Sequence, residues 1–459
     1  MTATADVVIC GAGIAGLAAA YHLAVHNGIR DIVMIDERPP LSLTSDKSSE
    51  CYRNWWPGPG NAMVSLMNRS IDLLEELAHQ TDNAIRLNRR GYLYATAEPA
   101  RVAAFSAAAE EAAALGAGPV RYHRGQAGDP TYVPAPAEDF VDQPTGADVI
   151  THTPLIRQHF PYLAAETVAV VHARRCGWFS AQQLGMIMLE QARAHGVRLV
   201  QATVEQVTVV GGRVTAVRAR GAAGTQSWQT RTFVNAAGPF LASVGALMGI
   251  DLPVFAERHL KISFSDHLGI VPRHAPLLIW SDPQHVAWDD EARAWFSESD
   301  DTRWLLDEFP AGVHGRPDGP VDSPVVIMLW PYHDQPAEMV FPVPSDPEYA
   351  DVVLRGMATM LPGLRAYFAR APKPYIDGGY YLKTRENRPL IGPLPVSGAY
   401  VLGALSGFGL MAAPGAGELL AAHIAGGRLP DTAPLFALAR YADPAYQALL
   451  AAWGDVGQL

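Results

Sequence analysis

Cysteine is nearly absent: 459 residues hold only Cys10, Cys51 and Cys176. They are widely scattered, with no metal-ligand spacing and no disulfide framework, which fits a reducing compartment. Long hydrophobic runs are missing too. No run of about 18 apolar residues occurs, so no transmembrane segment is expected. Met1 to Ala5 is too short for a signal peptide, and a cytoplasmic location is expected. Clustered positive charge is also lacking. The net charge is −11, and an acidic chain without a basic stripe is a poor nucleic-acid binder. No metal site is expected.

What is present starts at Asp6. Val7 to Cys10 reads as a buried strand, Gly11, Gly13 and Gly16 form a G-x-G-x-x-G turn, and Ile14 to Ala24 reads as a helix. Gly11 permits the tight turn, Gly13 lets backbone approach a pyrophosphate, and Gly16 lets helix and strand pack closely. The helix N-terminus offers free N–H groups and a positive dipole end to phosphates. The turn alone is weak evidence; a second strand ending in an acid roughly 20 residues on strengthens it. Ile32 to Ile35 is that strand, and Asp36-Glu37 follows. Asp36 is assigned to the ribose hydroxyls of an adenosine, with Glu37 as second candidate.

The length points to two domains. Arg38 to Gly60 has no helical or strand period and carries hydroxyls, Lys47, Arg53, Trp55 and Trp56. So long a loop inside a domain is usually functional. Helices are expected over Asn61–His79, Pro99–Leu115, from Thr153 as N-cap with Pro154 first, over Ser180–His195, and over Pro347–Leu361. Strands are expected over Gly91–Thr96, Val168–Ala173, Arg198–Val200, Thr203–Val210, Arg213–Arg218, Gln229–Val234, Val325–Pro331 and Glu338–Pro342, with Gly211-Gly212 as a hairpin turn. Asp251 to Asp377 shows short apolar alternations and an acidic insert from Trp280 to Phe309. The insert suits a lid, a partner surface or an ordinary helix pair. Near the C-terminus, Gly403 to Met411 is a second glycine-rich turn feeding a helix.

Four parts in this order carry a resemblance: the Gly11/Gly13/Gly16 motif with Asp36, the hydroxyl-rich loop Thr44 to Arg53, the strand end Val234-Asn235-Ala236-Ala237-Gly238, and Arg388-Pro389-Leu390-Ile391-Gly392-Pro393 with Ser406-Gly407-Phe408-Gly409. Over nearly its whole length the chain resembles the D-amino-acid oxidase and sarcosine oxidase superfamily of FAD-dependent oxidoreductases. The resemblance implies an α/β (α+β) fold: a Rossmann-type FAD-binding domain, over 1–90, 150–250 and 384–459, and an inserted substrate domain on a mixed β-sheet, over 91–149 and 251–383. The implied cofactor is FAD. Its expected contacts begin with Gly11, Ala12, Gly13, Ile14, Ala15 and Gly16, then Asp36, Glu37 and Arg38. Thr44, Ser45, Lys47, Ser48 and Ser49 would follow the pyrophosphate, ribityl chain and flavin edge. Val204 would meet the adenine through its backbone, with Ala237 and Gly238 at the strand end. Gly407, Phe408, Gly409, Leu410 and Met411 would lie beside the isoalloxazine, where a helix N-terminus near Leu410 stabilises a reduced, anionic flavin.

The sequence departs from the family pattern in places. No cysteine lies near Gly379, where some members attach flavin, so FAD is expected to be non-covalent. Met411 replaces a lysine that helps hold a substrate carboxylate, and Tyr381 stands near a carboxylate-binding arginine position. Glu338 to Phe341 lacks the lysine linked to oxygen reactivity, although Lys261 or Lys383 can replace it in space. The expected reaction is oxidation of the C–N bond of an amino acid or secondary amine, by hydride transfer to flavin N5, with a dehydrogenase favoured over an oxidase and the acceptor unidentified. Arg53 is the expected carboxylate anchor, because a guanidinium fork grips a carboxylate with two hydrogen bonds. Tyr380 and Tyr381 are candidates for the pocket wall. His259 and Lys383 are further polar candidates, and Trp55 and Trp56 either cover the pocket or pack the core. The alternative is dehydrogenation of a 2-hydroxy acid or related alcohol, with His259 or His333 as base. A non-catalytic FAD-stabilised binding protein is a third reading.

Overall fold

The computed structural model describes residues 2–56, 58–370 and 372–453. Met1, Pro57, Ala371 and the tail 454–459 of the expected FAD-binding range lie outside the described residues. Three sheets position the site. A six-stranded sheet runs in the order Arg198–Gln201, Ile32–Asp36, Val7–Cys10, Phe233–Asn235, Ala399–Gly403 and Leu390–Pro393. Its first five strands are parallel and the last is antiparallel. Val7–Cys10 is buried at every position, as a central strand covered on both faces must be.

The glycine turn leaves this sheet with no room for side chains. Gly11 has φ +111°, and a Cβ there would stand 2.2 Å from the Ala236 carbonyl oxygen. A Cβ on Gly16 would stand 2.0 Å from the Gly11 carbonyl oxygen. Gly13 differs: its Cβ would meet only Ser45 Oγ, at 3.4 Å. The helix Ile14–Tyr21 then packs against Gly409–Ala425, and a Cβ on Gly417 would approach Ala18 to 2.8 Å.

A nine-stranded mixed sheet runs from Tyr375–Lys383 through Phe255–Ser265, Val325–Leu329, His314–Pro317, Leu277–Trp280, Tyr92–Thr96, Ala169–Ala173 and Ala147–Ile150 to Val120–His123. It draws Ala169–Ala173 from the 150–250 stretch. A four-stranded sheet joins Thr2–Thr4, Gly224–Gln229, Arg213–Gly221 and Thr203–Val210. Val210 pairs with Arg213 across Gly211-Gly212, so the hairpin forms where expected. No helix among the described residues is long and apolar enough to cross a membrane.

Five local readings need correction. Glu338–Pro342 forms no strand. Pro336 and Pro342 bracket it and lack the N–H a ladder needs, and Val340 spends both backbone groups on the Tyr380 hydroxyl. Gln229–Val234 is not one strand: Gly224–Gln229 ends where Phe233–Asn235 of another sheet has yet to begin. The loop after Asp36 contains a strand, Cys51–Arg53, paired antiparallel with Cys176–Trp178; three residues are too few to reveal a period. The helix at Thr153 is capped one residue earlier, by His152. Finally, the alternations after Asp251 include an 11-residue strand, Phe255–Ser265, whose residues 255–263 pair with Tyr375–Lys383.

Gly16→Ala forces a methyl onto backbone, which cannot swing away. It is expected to lower apoprotein stability by about 1–3 kcal/mol in urea unfolding. Gly13→Ala, whose methyl meets only a movable hydroxyl, should leave the urea midpoint of the apoprotein near the wild-type value.

Candidate active site

Two cavities meet at the carboxyl end of the parallel strands, where open α/β sheets bind ligands. The larger holds about 900 Å³, mouth included. It is walled by Gly11, Gly13, Ile14 and Ala15 at the first helix, by Asp36, and by the loop residues Leu41 to Ser45 and Ser48. Ala236 to Pro239 and Leu402 to Gly407 close the other side, with Gly409 and Leu410 at the start of the C-terminal helix. Neither helix has a side chain capping its N-terminus from the capping position, Gly13 or Phe408. Both therefore aim backbone N–H groups and a positive dipole end at the cavity.

Hydrogen bonds hold this wall in shape. Asp36 Oδ2 accepts the Ala12 N–H at 2.7 Å, and Oδ1 accepts the Arg38 N–H at 2.9 Å. Ser45 Oγ accepts the Ile14 N–H at 3.1 Å. Thr44 Oγ1 donates to the Tyr380 carbonyl at 3.1 Å, tying the loop to the nine-stranded sheet. Lys261 Nζ donates to the Ser48 carbonyl at 2.8 Å, and Arg316 donates to the Ser49 carbonyl from Nε at 3.0 Å and Nη2 at 2.7 Å. Opposite, Ala404 and Ser406 both adopt positive φ, +53° and +49°. The Ser406 hydroxyl is buried without a partner among the described residues. Strained backbone and an unspent hydroxyl facing a cavity are marks of a ligand cradle. Two helix N-termini, a ribose-type carboxylate and a run of hydroxyls are the donor set a flavin adenine dinucleotide needs.

The smaller cavity, about 530 Å³, lies against the larger and shares Tyr381 and Gly407 with it. Its roof is one face of the nine-stranded sheet: Tyr92, Leu277, His314, Leu329, His259 and Tyr381. Its floor is Ser49, Cys51 and Arg53 from the loop, with Phe408 and Met411 from the C-terminal helix. Arg53 is buried at 4% exposure. It donates to the Tyr94 hydroxyl at 3.3 Å and lies 4.6 Å over the Trp56 ring. Among the described residues lining this cavity, it is the only Arg, Lys, Asp or Glu.

The strand pair Phe255–Ser265 and Tyr375–Lys383 supplies the rest. Glu257 pairs with Tyr381 and His259 with Gly379, so alternate side chains share the face that looks onto the site. The His259 ring stacks on Tyr381 at 3.9 Å. His259 Nε2 lies 3.2 Å from Glu257 Oε2, and Lys383 Nζ donates to the same carboxylate at 2.9 and 3.0 Å. Burial raises the cost of the Glu257 charge, yet the bonds from His259 and Lys383 outweigh it and hold its pKa below the usual range. Burial pushes His259 down despite Glu257, and pushes the Tyr381 hydroxyl up to about 12.

The expected residues thus separate. Arg53, His259, Tyr381 and Met411 come together in the smaller cavity, with Ser49, Gly407 and Phe408. Tyr380 does not wall that cavity: its hydroxyl is bound to Val340, its ring packs 5.5 Å from Phe341, and it borders only the larger space. Lys383 lines neither cavity and is paired with Glu257. His333 is held by Asp346 at 2.9 Å, away from both. Trp55 and Trp56 belong to the core and line neither cavity. Ala12, Gly16, Glu37 and Val204 also lie off both walls; Ala12 gives its N–H to Asp36, and Glu37 accepts from Thr203. Arg38 and Lys47 line a separate outer groove with Thr44. Ser406 and His314 were not anticipated. Ser406 sits inside a quoted motif; His314 opens a four-residue strand, His314–Pro317, too short to show a period.

A protein-family model described as FAD dependent oxidoreductase (DAO) matches residues 6–423. No curated protein matches the chain. Among solved structures, L-proline dehydrogenase from P. horikoshii superposes with a TM-score of 0.72 at 18% identity, covering 96% of this chain and 99% of that one. Glycine oxidase from Geobacillus kaustophilus gives 0.70 at 17% identity, covering 95% and 99%. Iminodiacetate oxidase from Chelativorans sp. BNC1 gives 0.67 at 19% identity, covering 94% and 98%. At these identities the likeness speaks for the fold; the family match over residues 6–423 carries the assignment, and the chain belongs to the DAO family of FAD-dependent oxidoreductases.

Proposed function

We propose that the protein oxidises the C–N bond of an amino acid or secondary amine that carries one carboxylate. The observation that supports this most is the smaller cavity: a buried arginine in an otherwise uncharged lining, opening onto the cofactor cavity at Tyr381 and Gly407. The solved neighbours are named for proline, glycine and iminodiacetate, all amines bearing a carboxylate; the first two carry one and iminodiacetate carries two. When bound, FAD supplies the two-electron acceptor. The chain's own part is placement. Arg53 grips the carboxylate as a fork, and Trp56, stacked under its guanidinium, fixes the fork's plane. Leu277, Leu329, Phe408 and Met411 exclude water, which strengthens that contact. Tyr381, braced by His259, sets the depth at which the substrate carbon meets the cofactor cavity. We further propose the domain division given above with Ala169–Ala173 moved to the substrate-binding domain whose sheet it joins, non-covalent FAD, and a reducing, cytoplasmic setting, the last supported by three buried free thiols.

One observation favours the second reading, a 2-hydroxy acid substrate: His259 lines the cavity and is backed by Glu257, an arrangement suited to a hydroxyl proton. Anaerobic mixing with a panel of amines and 2-hydroxy acids separates the two. Amines should bleach the flavin; bleaching by hydroxy acids alone would overturn the first reading.

Three outcomes are expected. Acid precipitation should release a yellow supernatant, since no cysteine lies near Gly379; a yellow pellet would reveal a covalent link. Arg53→Ala removes a charge-assisted contact of roughly 1.5–3 kcal/mol, so kcat/KM should fall at least about tenfold with FAD content near normal. Arg53→Lys should recover only part, because a point charge cannot form the fork. Reduced enzyme should reoxidise slowly in air and quickly with an artificial dye acceptor. Segment 338–341 has no lysine, Lys383 is neutralised by Glu257 and burial lowers the Lys261 pKa, so lysine offers superoxide little help. Reoxidation by air as fast as by dye would make the enzyme an oxidase.

A further inference from the structure

His314 enters the smaller cavity from the middle of the nine-stranded sheet, on a strand flanked by Val325–Leu329 and Leu277–Trp280. Its ring is 6% exposed. Nδ1 lies 2.7 Å from the Gly312 carbonyl oxygen. A carbonyl only accepts, so Nδ1 must carry the proton. The neutral ring then presents Nε2 as a lone pair, and among the described residues no protein group donates to it. The ring is one of the cavity's lining groups, across from Arg53.

Two further features keep that lone pair available. Burial lowers the pKa of His314 to about 4, with the Gly312 carbonyl opposing this and Arg53 and His259 adding to it. Among the described residues no carboxylate touches His314, which is held only by a backbone carbonyl, whereas His259 Nε2 is held by the charged Glu257.

We propose that His314 Nε2 accepts the hydrogen bond of the substrate's amine nitrogen while Arg53 holds its carboxylate. This rests on the amine reading given under Proposed function and deepens it: the pocket recognises an α-amino or α-imino monocarboxylate by its two ends. The contact is a hydrogen bond in which no proton changes owner. The substrate nitrogen, bound as the free base, donates one N–H to Nε2 and keeps its lone pair. That lone pair is what C–N oxidation needs, and a second acceptor at the far end fixes the nitrogen about one bond from the reacting carbon. Only an N–H or O–H donor satisfies Nε2, and a carboxylate without one leaves it unspent, which costs affinity.

The test uses the FAD-loaded enzyme. Glycine, sarcosine, L-proline and iminodiacetate are assayed by anaerobic flavin reduction; acetate and propionate are titrated as amine-free ligands by the perturbation of flavin absorbance. His314→Leu should lower kcat/KM for the best amine at least about tenfold, as loss of one buried hydrogen bond predicts. Acetate and propionate should bind at least about as tightly as to wild type, because their contact is with Arg53 and the variant leaves no acceptor unspent. His314→Gln, which keeps an acceptor oxygen, should recover most of the loss. His259→Leu serves as the competing variant. The inference is overturned if His314→Leu keeps kcat/KM within about twofold, if acetate affinity falls in parallel with it, or if Gln recovers nothing. It is also overturned if only His259→Leu separates amine from carboxylate binding. A wild-type enzyme reduced by none of the four amines overturns the amine reading itself, and this inference with it; reduction of the wild type with no response to His314→Leu overturns the inference alone.

Discussion

Two backbone carbonyls bear the join between the halves of this molecule. Ser48 and Ser49 belong to the loop that leaves the ribose-side strand, and their oxygens are taken by Lys261 and Arg316 from the nine-stranded sheet. Both cations are removed from bulk water: burial lowers the Lys261 pKa, and Arg316 is only 1% exposed. Charge-assisted bonds in such surroundings are short and directional. They hold the loop at a fixed height beneath the sheet. Thr44, bound to the Tyr380 carbonyl, repeats the clamp one turn earlier. Because Arg53 follows the clamped residues through only three others, its position is set by the same contacts. The short pairing of Cys51–Arg53 with Cys176–Trp178 then fixes the direction in which it points.

Register does the rest. In Phe255–Ser265, the residues Ala256, Leu260, Ile262 and Phe264 enter apolar cores. Glu257, His259 and Lys261 therefore share the other face, which looks onto the loop and the smaller cavity. The partner strand places Tyr381 and Lys383 on that face and Tyr380 and Leu382 on the apolar one. A shift of one residue would exchange every one of these roles. Eleven apolar-alternating residues make such a slip expensive, so the site inherits its precision from core packing on the opposite side of the same strands.

This explains what was legible in the sequence and what was not. Gly11, Gly13, Gly16 and Asp36 were legible because their roles are set by local spacing, and the turn they form is stabilised within itself by the Ala12–Asp36 bond. The hydroxyl loop and the turn before the C-terminal helix were legible as departures from any periodic pattern. The smaller cavity was half legible. Arg53 is conspicuous as a cation after a hydroxyl run, whereas Tyr92 and Leu329 come from stretches read as ordinary strands, and Leu277 and His314 from strands the sequence did not single out. Tyr380 and Tyr381 are neighbours with the same chemistry, and only strand pairing separates a core tether from a cavity wall. The segment after Pro336 was misread because apolar alternation is also produced by a coil whose residues pack singly, and the prolines at its ends were the better signal.

The charge of the smaller cavity depends on a residue that does not line it. Glu257 stands two residues from His259 on the same face, and a lone carboxylate there would oppose the Arg53 field in a low-dielectric space. Lys383 prevents this. By pairing with both Glu257 oxygens it forms a buried ion pair of zero net charge, whose field falls off faster than that of a lone carboxylate. His259 and His314 stay neutral because burial disfavours their charged forms. Among the described residues lining the cavity, the guanidinium is thus the only formally charged side chain. Arginine suits that role, being more weakly hydrated than lysine and able to rest on the Trp56 face. The anionic substrate proposed above would accordingly be favoured by the pairing of Lys383 as much as by the placing of Arg53.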